Sequence, residues 1–282
     1  MYIDSGASAK ISNTTIPVTY EAIFSKDGQS VIYRYLDNNN ENIQSFLGTI
    51  GKDRGGFLPE NISDLAVAPS GSQFFYLAPL GSDIAGYIGS FTDSKRTQIF
   101  SSSFTEWLPQ WTTPNSIFLT TKPSGLVAGS MYSVNKSTGG FIKIFGGIKG
   151  LTTLASSGNL ILFSDANSGK PTLGLYDTNS KSFSSLDINT FSEKCVWSGT
   201  KTLYCAVPNE IKKGIYPDDW YQGFTSFQDT IVKIDALSGS SVDIFNTEEV
   251  FGVDGTKLTL SPDEKTLFIV NRADGTLWSL DL

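Results

Sequence analysis

The chain contains no histidine. That absence excludes Ser-His-Asp and Cys-His nucleophile pairs, His-ligated zinc and any imidazole proton shuttle. Chemistry, if there is any, must come from carboxylates, Tyr, Lys, Ser or bound ions. Cysteine is nearly as scarce: there are 2, Cys195 and Cys205, without a C-x-x-C or other metal-binding spacing. No apolar run reaches the ~18 residues that a membrane-spanning helix needs. The opening segment MYIDSGASAKISNTTIP has neither a charged n-region nor an apolar h-region, so it reads as no signal peptide. Basic charge is also in short supply, with 21 Lys and Arg against 28 Asp and Glu, a net charge of −7. A nucleic-acid partner, which is gathered through a basic face, is therefore not expected. Long runs of Ala, Leu, Glu and Lys, the mark of helices, are missing as well.

What remains points to β structure. The 282 residues are 39% hydrophobic and 12% aromatic, enough for a sizeable core, and 27 glycines imply frequent turns. A chain of this length accommodates two small domains or one large all-β or α/β domain. Six stretches pair a short apolar strand and a small turn with a second, β-branched or aromatic strand. They are YEAIFSKDGQSVIYRY, DLAVAPSGSQFFYLA, EWLPQWTTPNSIFLTT, LTTLASSGNLILFS, KCVWSGTKTLYCAV and LTLSPDEKTLFIV. Taking Ser25, Pro69, Thr112, Ser156, Ser198 and Ser261 as anchors, the intervals are 44, 43, 44, 42 and 63 residues.

A period of ~40–50 residues with several strands per unit is the signature of a β-propeller. Third strands recur as GYIGS, MYSVN, LGLYD, TIVKID and LWSLD, and fourth strands as TQIF, FIKIF and VDIF. No fourth strand stands out in GTIGKDRGGFLPE of the first unit. From Ser261 to Leu282 and from Met1 to Ser25, the two ends together supply one further period. The expectation is an all-β, single-domain, six-bladed propeller of four-stranded antiparallel blades, spanning 19–61, 62–103, 104–149, 150–190, 191–249 and 250–282 with 1–18. AKISNTT would complete the last blade and cover its open edge. The alternative is seven blades with the first truncated, because MYID also reads as a third strand; the chain would then be cut from a longer protein.

The stretch LSPDEKTLFIVNRADGTLWSLDL resembles the WD40-like repeat of TolB-type propellers, in which an S-P-D-G-K turn joins the first two strands. Here Glu264 replaces the glycine, and FSKDGQSVIYRY and APSGSQFFYL approach the same pattern. The chain is also similar to uncharacterised bacterial propeller proteins carrying the EKCVW and YPDDWYQG stretches. That resemblance implies an N-terminal membrane anchor upstream and an extracytoplasmic or cell-surface propeller; it brings no activity with it.

The 63-residue interval exceeds its siblings by 20, and the surplus lies between TLYCAV and DTIVKID. It contains GIYPDDWYQGF, residues 214–224, placed by topology on the face where propellers usually carry their sites. One reading makes Tyr216, Trp220, Tyr221 and Phe224 a contact surface beside Asp218 and Asp219. The other folds the aromatics back over the channel mouth, since an exposed cluster would be sticky. A mixture would bury Trp220 and expose the aspartates. Trp107 and Trp111 flank the same mouth, the latter read first as core.

Glu21, Asp64, Glu106, Glu193 and Asp254 precede the innermost strands of five units, where the fourth has Thr152 and Thr153. Carboxylates converging on an axis repel, so the expectation is that they are solvated, paired with Lys194 and similar groups, or neutralised by a cation. Calcium, which takes oxygen ligands, is the candidate metal; no other cofactor is expected. Paired acids also perform glycoside hydrolysis at separations of ~5–10 Å, for which Asp218, Asp219, Glu106 and Glu193 are candidates. No recognised catalytic motif supports them.

Cys195 and Cys205 fall opposite each other across the SGTK turn, within adjustment of disulfide geometry, provided the compartment is oxidising. The alternative is two buried thiols acting as small hydrophobes. The reading from sequence is thus a non-catalytic, monomeric binding or scaffold propeller. It would engage a protein or glycan, cationic or neutral rather than anionic, through its top face. A carboxylate-based glycoside hydrolase is the alternative.

Overall fold

The structure, a computed structural model, describes residues 18–282 apart from 38, 40, 53, 54, 250 and 251. The chain falls into two compact units. One runs to Ile117 and includes Val134–Gly140; the other comprises Phe118–Ser133 and Phe141–Leu282.

Among the described residues six antiparallel sheets make up almost all of the regular structure, each with its strands side by side in chain order. The first holds β1 (Thr19–Phe24), β2 (Ser30–Leu36), β3 (Ile43–Thr49) and β4 (Gly55–Phe57). The second holds β5 (Asp64–Val67), β6 (Gln73–Leu80), β7 (Asp83–Ser90) and β8 (Arg96–Ser102). The third comprises β9 (Trp107–Gln110), β10 (Ser116–Thr121), β11 (Ala128–Asn135) and β12 (Phe141–Lys149). The fourth comprises β13 (Thr152–Ala155), β14 (Leu160–Asp165), β15 (Thr172–Asp177) and β16 (Ser182–Ser185). β17 (Cys195–Ser198), β18 (Thr202–Pro208), β19 (Asp229–Asp235) and β20 (Ser241–Asn246) form the fifth. β21 (Gly255–Leu260), β22 (Thr266–Asn271) and β23 (Leu277–Asp281) form the sixth.

Each sheet falls within one of the six intervals expected from the period. The sixth has three strands among the described residues, and the AKISNTT strand expected to complete it lies outside them. Among the described residues no helix is long and apolar enough to cross a membrane.

The fourth strand that could not be seen in the first unit is β4, only three residues long and mostly glycine. Its shape explains its silence. A Cβ on Gly55 would lie 2.3 Å from Phe46 Cζ, so only glycine lets the strand close against that ring. Phe57 then meets Phe46 edge-on at 5.2 Å. Such a strand carries no alternation for a pattern search to find.

Apolar runs without alternation become strands covered on both faces. β14 is buried from Leu160 to Ser164, whereas outer β16 is exposed throughout. In the first unit, Ile32, Leu65, Phe74 and Tyr76 pack the first two sheets together. In the second, Phe145 and Phe163 join the third and fourth sheets, Leu162, Leu175 and Leu203 the fourth and fifth, and Ala206, Ile231 and Leu267 the fifth and sixth. At ~2–3 kcal/mol for each large side chain removed from water, these intersheet layers dominate the favourable side of folding.

The two TolB-like turns share one device. Ser25 Oγ donates to Asp27 Oδ1 at 2.6 Å, and Ser261 Oγ to Asp263 Oδ1 at 2.6 Å. Glu264 takes the glycine's place in the second turn at φ +57°, with its carboxylate accepting a hydrogen bond from Ser198 Oγ.

Candidate functional site

The 20-residue surplus folds as a brace on the second unit, connecting β18 to β19 and built around a single helical turn, α1 (Asp218–Tyr221). Pro217 precedes it through a cis peptide bond. Both aspartates at the start of α1 are engaged with their surroundings. Asp218 accepts hydrogen bonds from Gly125 N at 2.6 Å and Ser124 Oγ at 3.0 Å, fastening the insertion to the β10–β11 connection. Asp219 accepts from Ile215 N at 2.8 Å and closes the turn on itself. Two glycines let the insertion lie down. A Cβ on Gly125 would come within 2.6 Å of Tyr216 O, and one on Gly150, at φ +66°, within 2.5 Å of the same oxygen.

The aromatic side chains separate into two groups. Tyr216 and Trp220 are buried, at 1% and 2% exposure, in a cluster with Phe191, Ile211 and Phe227. Trp220 stacks on Phe191 with centroids 5.0 Å apart and planes 8° from parallel. Tyr216 donates its hydroxyl to Lys212 O at 2.9 Å. Phe224, by contrast, is 77% exposed, and Tyr221 has an exposed ring. The insertion is therefore a small satellite core with a two-residue aromatic outer edge. Trp107, also expected at the surface, is 5% exposed, packed edge-on against Phe104 and donating Nε1–H to Phe104 O. Tyr216, Trp220 and Trp107 accordingly do not form a contact surface: their apolar area is spent on packing. Trp111 is buried, as its core reading has it.

Beneath Trp220 sits a buried charge cluster. Lys194, fully enclosed in the 3-10 turn Ser192–Lys194, places Nζ 2.5 Å from Asp254 Oδ1 and 2.8 Å from Asp229 Oδ2. Both aspartates are also enclosed. Trp220 and Phe227 turn their ring faces to the ammonium at 5.1 and 5.2 Å. Asp254 further accepts from Trp220 Nε1, Ser226 Oγ and Phe227 N, so it ties the insertion to the sixth sheet. Asp229 Oδ2 accepts from Gly255 N at 2.6 Å, while its Oδ1 has no hydrogen-bond partner. Burial pushes the Asp229 carboxyl up to about 6 against the pull of Lys194.

Glu193, next along the chain, accepts a hydrogen bond from the Tyr221 hydroxyl at 2.5 Å. Loss of water around the carboxyl pushes it up to about 7, and burial together with this carboxylate pushes the phenol up too. Arg272 lies over Trp220 at 5.1 Å and donates to Tyr221 O, completing the brace.

The other expected acids lie in the first unit. Glu21, on β1, pairs with Arg34 Nη1 at 2.6 Å; the buried guanidinium also donates to Ile62 O and Ser63 O. Asp64 opens β5, and burial pushes its carboxyl up to about 6. Glu106 is exposed just ahead of β9. Among the described residues no three acidic side chains gather as a cation's ligand set. The counter-charges at Glu21 and Asp254 come from Arg34 and Lys194. In the fourth sheet, Thr152 hydrogen-bonds Ser164 and Ser192, and Thr153 hydrogen-bonds Thr120, so hydroxyls occupy the register that acids hold elsewhere.

Cys195 and Cys205 are directly opposed in the β17–β18 ladder and joined by a disulfide. Beside the insertion a cleft of about 630 Å³ is lined by Asn209, Phe224, Ser226, Gln228, Glu248 and Asp254 among others. Asp229, Phe191, Phe227 and Arg272 were missed by sequence reasoning. Only Asp229 left a trace, as a charge opening the otherwise apolar DTIVKID strand.

No family model and no curated protein sequence matches the chain. Solved structures do. TolB from Acinetobacter baumannii superposes with a TM-score of 0.59 at 15% identity over 90% of this chain, which spans 61% of that protein's length. The β-propeller domain of the trilobed protease from Pyrococcus furiosus gives 0.60 at 9% identity, covering 93% of this chain and 82% of that one. Oligogalacturonate lyase from Vibrio parahaemolyticus gives 0.60 at 9% identity, covering 92% and 75%. At such identities the likeness is one of fold, and the fold is a six-bladed β-propeller, similar to the propellers of TolB and these other proteins.

Proposed function

We infer that the chain is a non-catalytic binding propeller, and that a partner protein docks on the outer edge of the 209–228 insertion beside the 630 Å³ cleft. The observation that carries this reading is Phe224, 77% exposed on a segment whose Ile211, Tyr216, Trp220 and Phe227 are packed into a buried cluster. A large apolar ring held in water by a braced support is the anatomy of an interface anchor. Tyr221 and the acidic rim residues Glu210 and Glu248 would complete a surface suited to a neutral or cationic partner. The Cys195–Cys205 disulfide supports an extracytoplasmic setting, since such bonds persist in oxidising compartments.

A photo-crosslinking residue placed at Phe224 in the native host tests this. The expected result is a discrete adduct that is missing when the same probe replaces exposed Phe183 of β16. Equal labelling at both positions would overturn the docking assignment. Hydrolysis is the rival reading, and one observation favours it: Glu193 holds a carboxyl raised to about 7, the range of a general acid. Turnover of chromogenic glycosides that disappears in Glu193→Gln would replace the binding reading with that one.

A further inference from the structure

We propose that Lys194 and Asp229 become joined by an isopeptide bond within the folded chain, with Asp254 as the proton carrier. Three features place the reacting groups. Lys194 Nζ stands 2.8 Å from Asp229 Oδ2 and 2.5 Å from Asp254 Oδ1, and all three side chains have no solvent exposure. The two Asp229 oxygens are differentiated: Oδ2 is held by the Gly255 N–H at 2.6 Å, whereas buried Oδ1 has no partner. The ring faces of Trp220 and Phe227, 5.1 and 5.2 Å from Nζ, wall the group off from water that would reverse the reaction.

The step balances without a co-reactant. Asp229 enters as the neutral acid, Lys194 as the ammonium and Asp254 as the carboxylate. Asp254 Oδ1 removes one Nζ proton, and the freed lone pair forms a bond to Asp229 Cγ. Negative charge develops on Oδ2, where the Gly255 N–H receives it as an oxyanion-hole donor would. A second Nζ proton, relayed by Asp254, reaches protonated Oδ1, and the Cγ–Oδ1 bond breaks to release water. An amide remains and Asp254 ends protonated. Fixed proximity supplies the entropy that an intermolecular condensation lacks. The product also exchanges two buried charges for a neutral amide, which removes the desolvation penalty of the ion pair. Burial, which raises the Asp229 carboxyl to about 6, eases the protonation from which the step begins.

The consequence is a covalent ring from residue 194 to 229 that contains both the disulfide hairpin and the insertion, anchoring the proposed docking segment at its base. Intact-mass spectrometry of the wild-type chain, denatured, reduced and alkylated, reads the bond directly and needs no variant. The expected mass is one water below that of the sequence. Digestion should yield a branched peptide joining Lys194 to Asp229, absent from Lys194→Arg. A full-mass chain would overturn the proposal and leave an ordinary buried ion pair. So would a missing water that maps to a succinimide at Asp254–Gly255 and disappears on hydroxylamine treatment, to which an isopeptide bond is inert.

Discussion

Asp218→Ala separates a bracing role for this residue from a place in a reaction. Asp218 accepts from Gly125 N at 2.6 Å and from Ser124 Oγ at 3.0 Å, and both contacts vanish in the variant. A charge-assisted bond to a backbone N–H contributes ~1.5–3 kcal/mol and the hydroxyl bond ~1 kcal/mol. Because Asp218 is only half-buried, water recovers part of this, and a net loss of about 2 kcal/mol is expected. The loss should fall first on the insertion, which opens as a local unit then held by the aromatic cluster and by its bonds to Asp254 and Arg272. Hydrogen exchange across residues 215–228 should accelerate about 30-fold, the factor equivalent to ~2 kcal/mol of local opening. If opening is coupled to global unfolding, Tm should fall by ~4–8 °C for a chain of this size. Trp220, buried against Phe191, reports the same event through its fluorescence. Unchanged exchange over 215–228 together with a Tm within a degree of wild type would refute the argument that these bonds hold the brace.

The remaining expectations concern pH, the disulfide and backbone packing. Glu193 is raised from 4.5 to about 7 and Asp64 from 3.8 to about 6 by burial, so the folded state holds protons that the unfolded state has released. Stability is then fully present below pH ~4 and is lost as pH rises toward 7, so Tm should decline across that window and decline less in Glu193→Gln; a Tm rising with pH would contradict the assignment. Reducing the Cys195–Cys205 disulfide, with its separation of 10 residues, should cost ~2–3 kcal/mol by loop entropy, visible as a lower midpoint in urea; an unchanged midpoint would show that the bridge constrains little. Gly150→Ala would force a Cβ to 2.5 Å from both Ala166 Cβ and Tyr216 O, costing ~1–3 kcal/mol, and faster proteolysis within 209–228 is the readout. A fully protected insertion in that variant would mean the backbone approach is looser than the structure has it.

Much of this architecture is written in local pattern. Strand pairs such as LTTLASSGNLILFS repeat at a fixed interval because each sheet must present apolar residues on both faces to its neighbours, and that demand recurs sheet by sheet. The opposition of Cys195 and Cys205 follows from hairpin register alone, since residues equidistant from a two-strand turn face each other. Even the place of the insertion could be read, because a surplus within a constant period has to fall between particular strands. Strand β4 escaped because GGF has no side-chain alternation; its only requirement is room for Phe46.

The use made of the insertion's residues was a matter for tertiary structure. Tyr216, Trp220, Tyr221 and Phe224 are equally aromatic in the sequence, yet two are buried and two face water. Which way each points depends on partners far along the chain: Phe191 beneath Trp220, Arg272 over it, and glycines 125 and 150 under Tyr216. Lys194, Asp229 and Asp254 lie 35 and 25 residues apart in turn, and no spacing rule links them. They meet because the fifth and sixth sheets pack side by side, and because charges taken out of water must find one another there. Periodicity is a property of neighbours along the chain, and it specifies sheets. Charge pairing and ring stacking are properties of neighbours in space, and only the packed sheets bring those together.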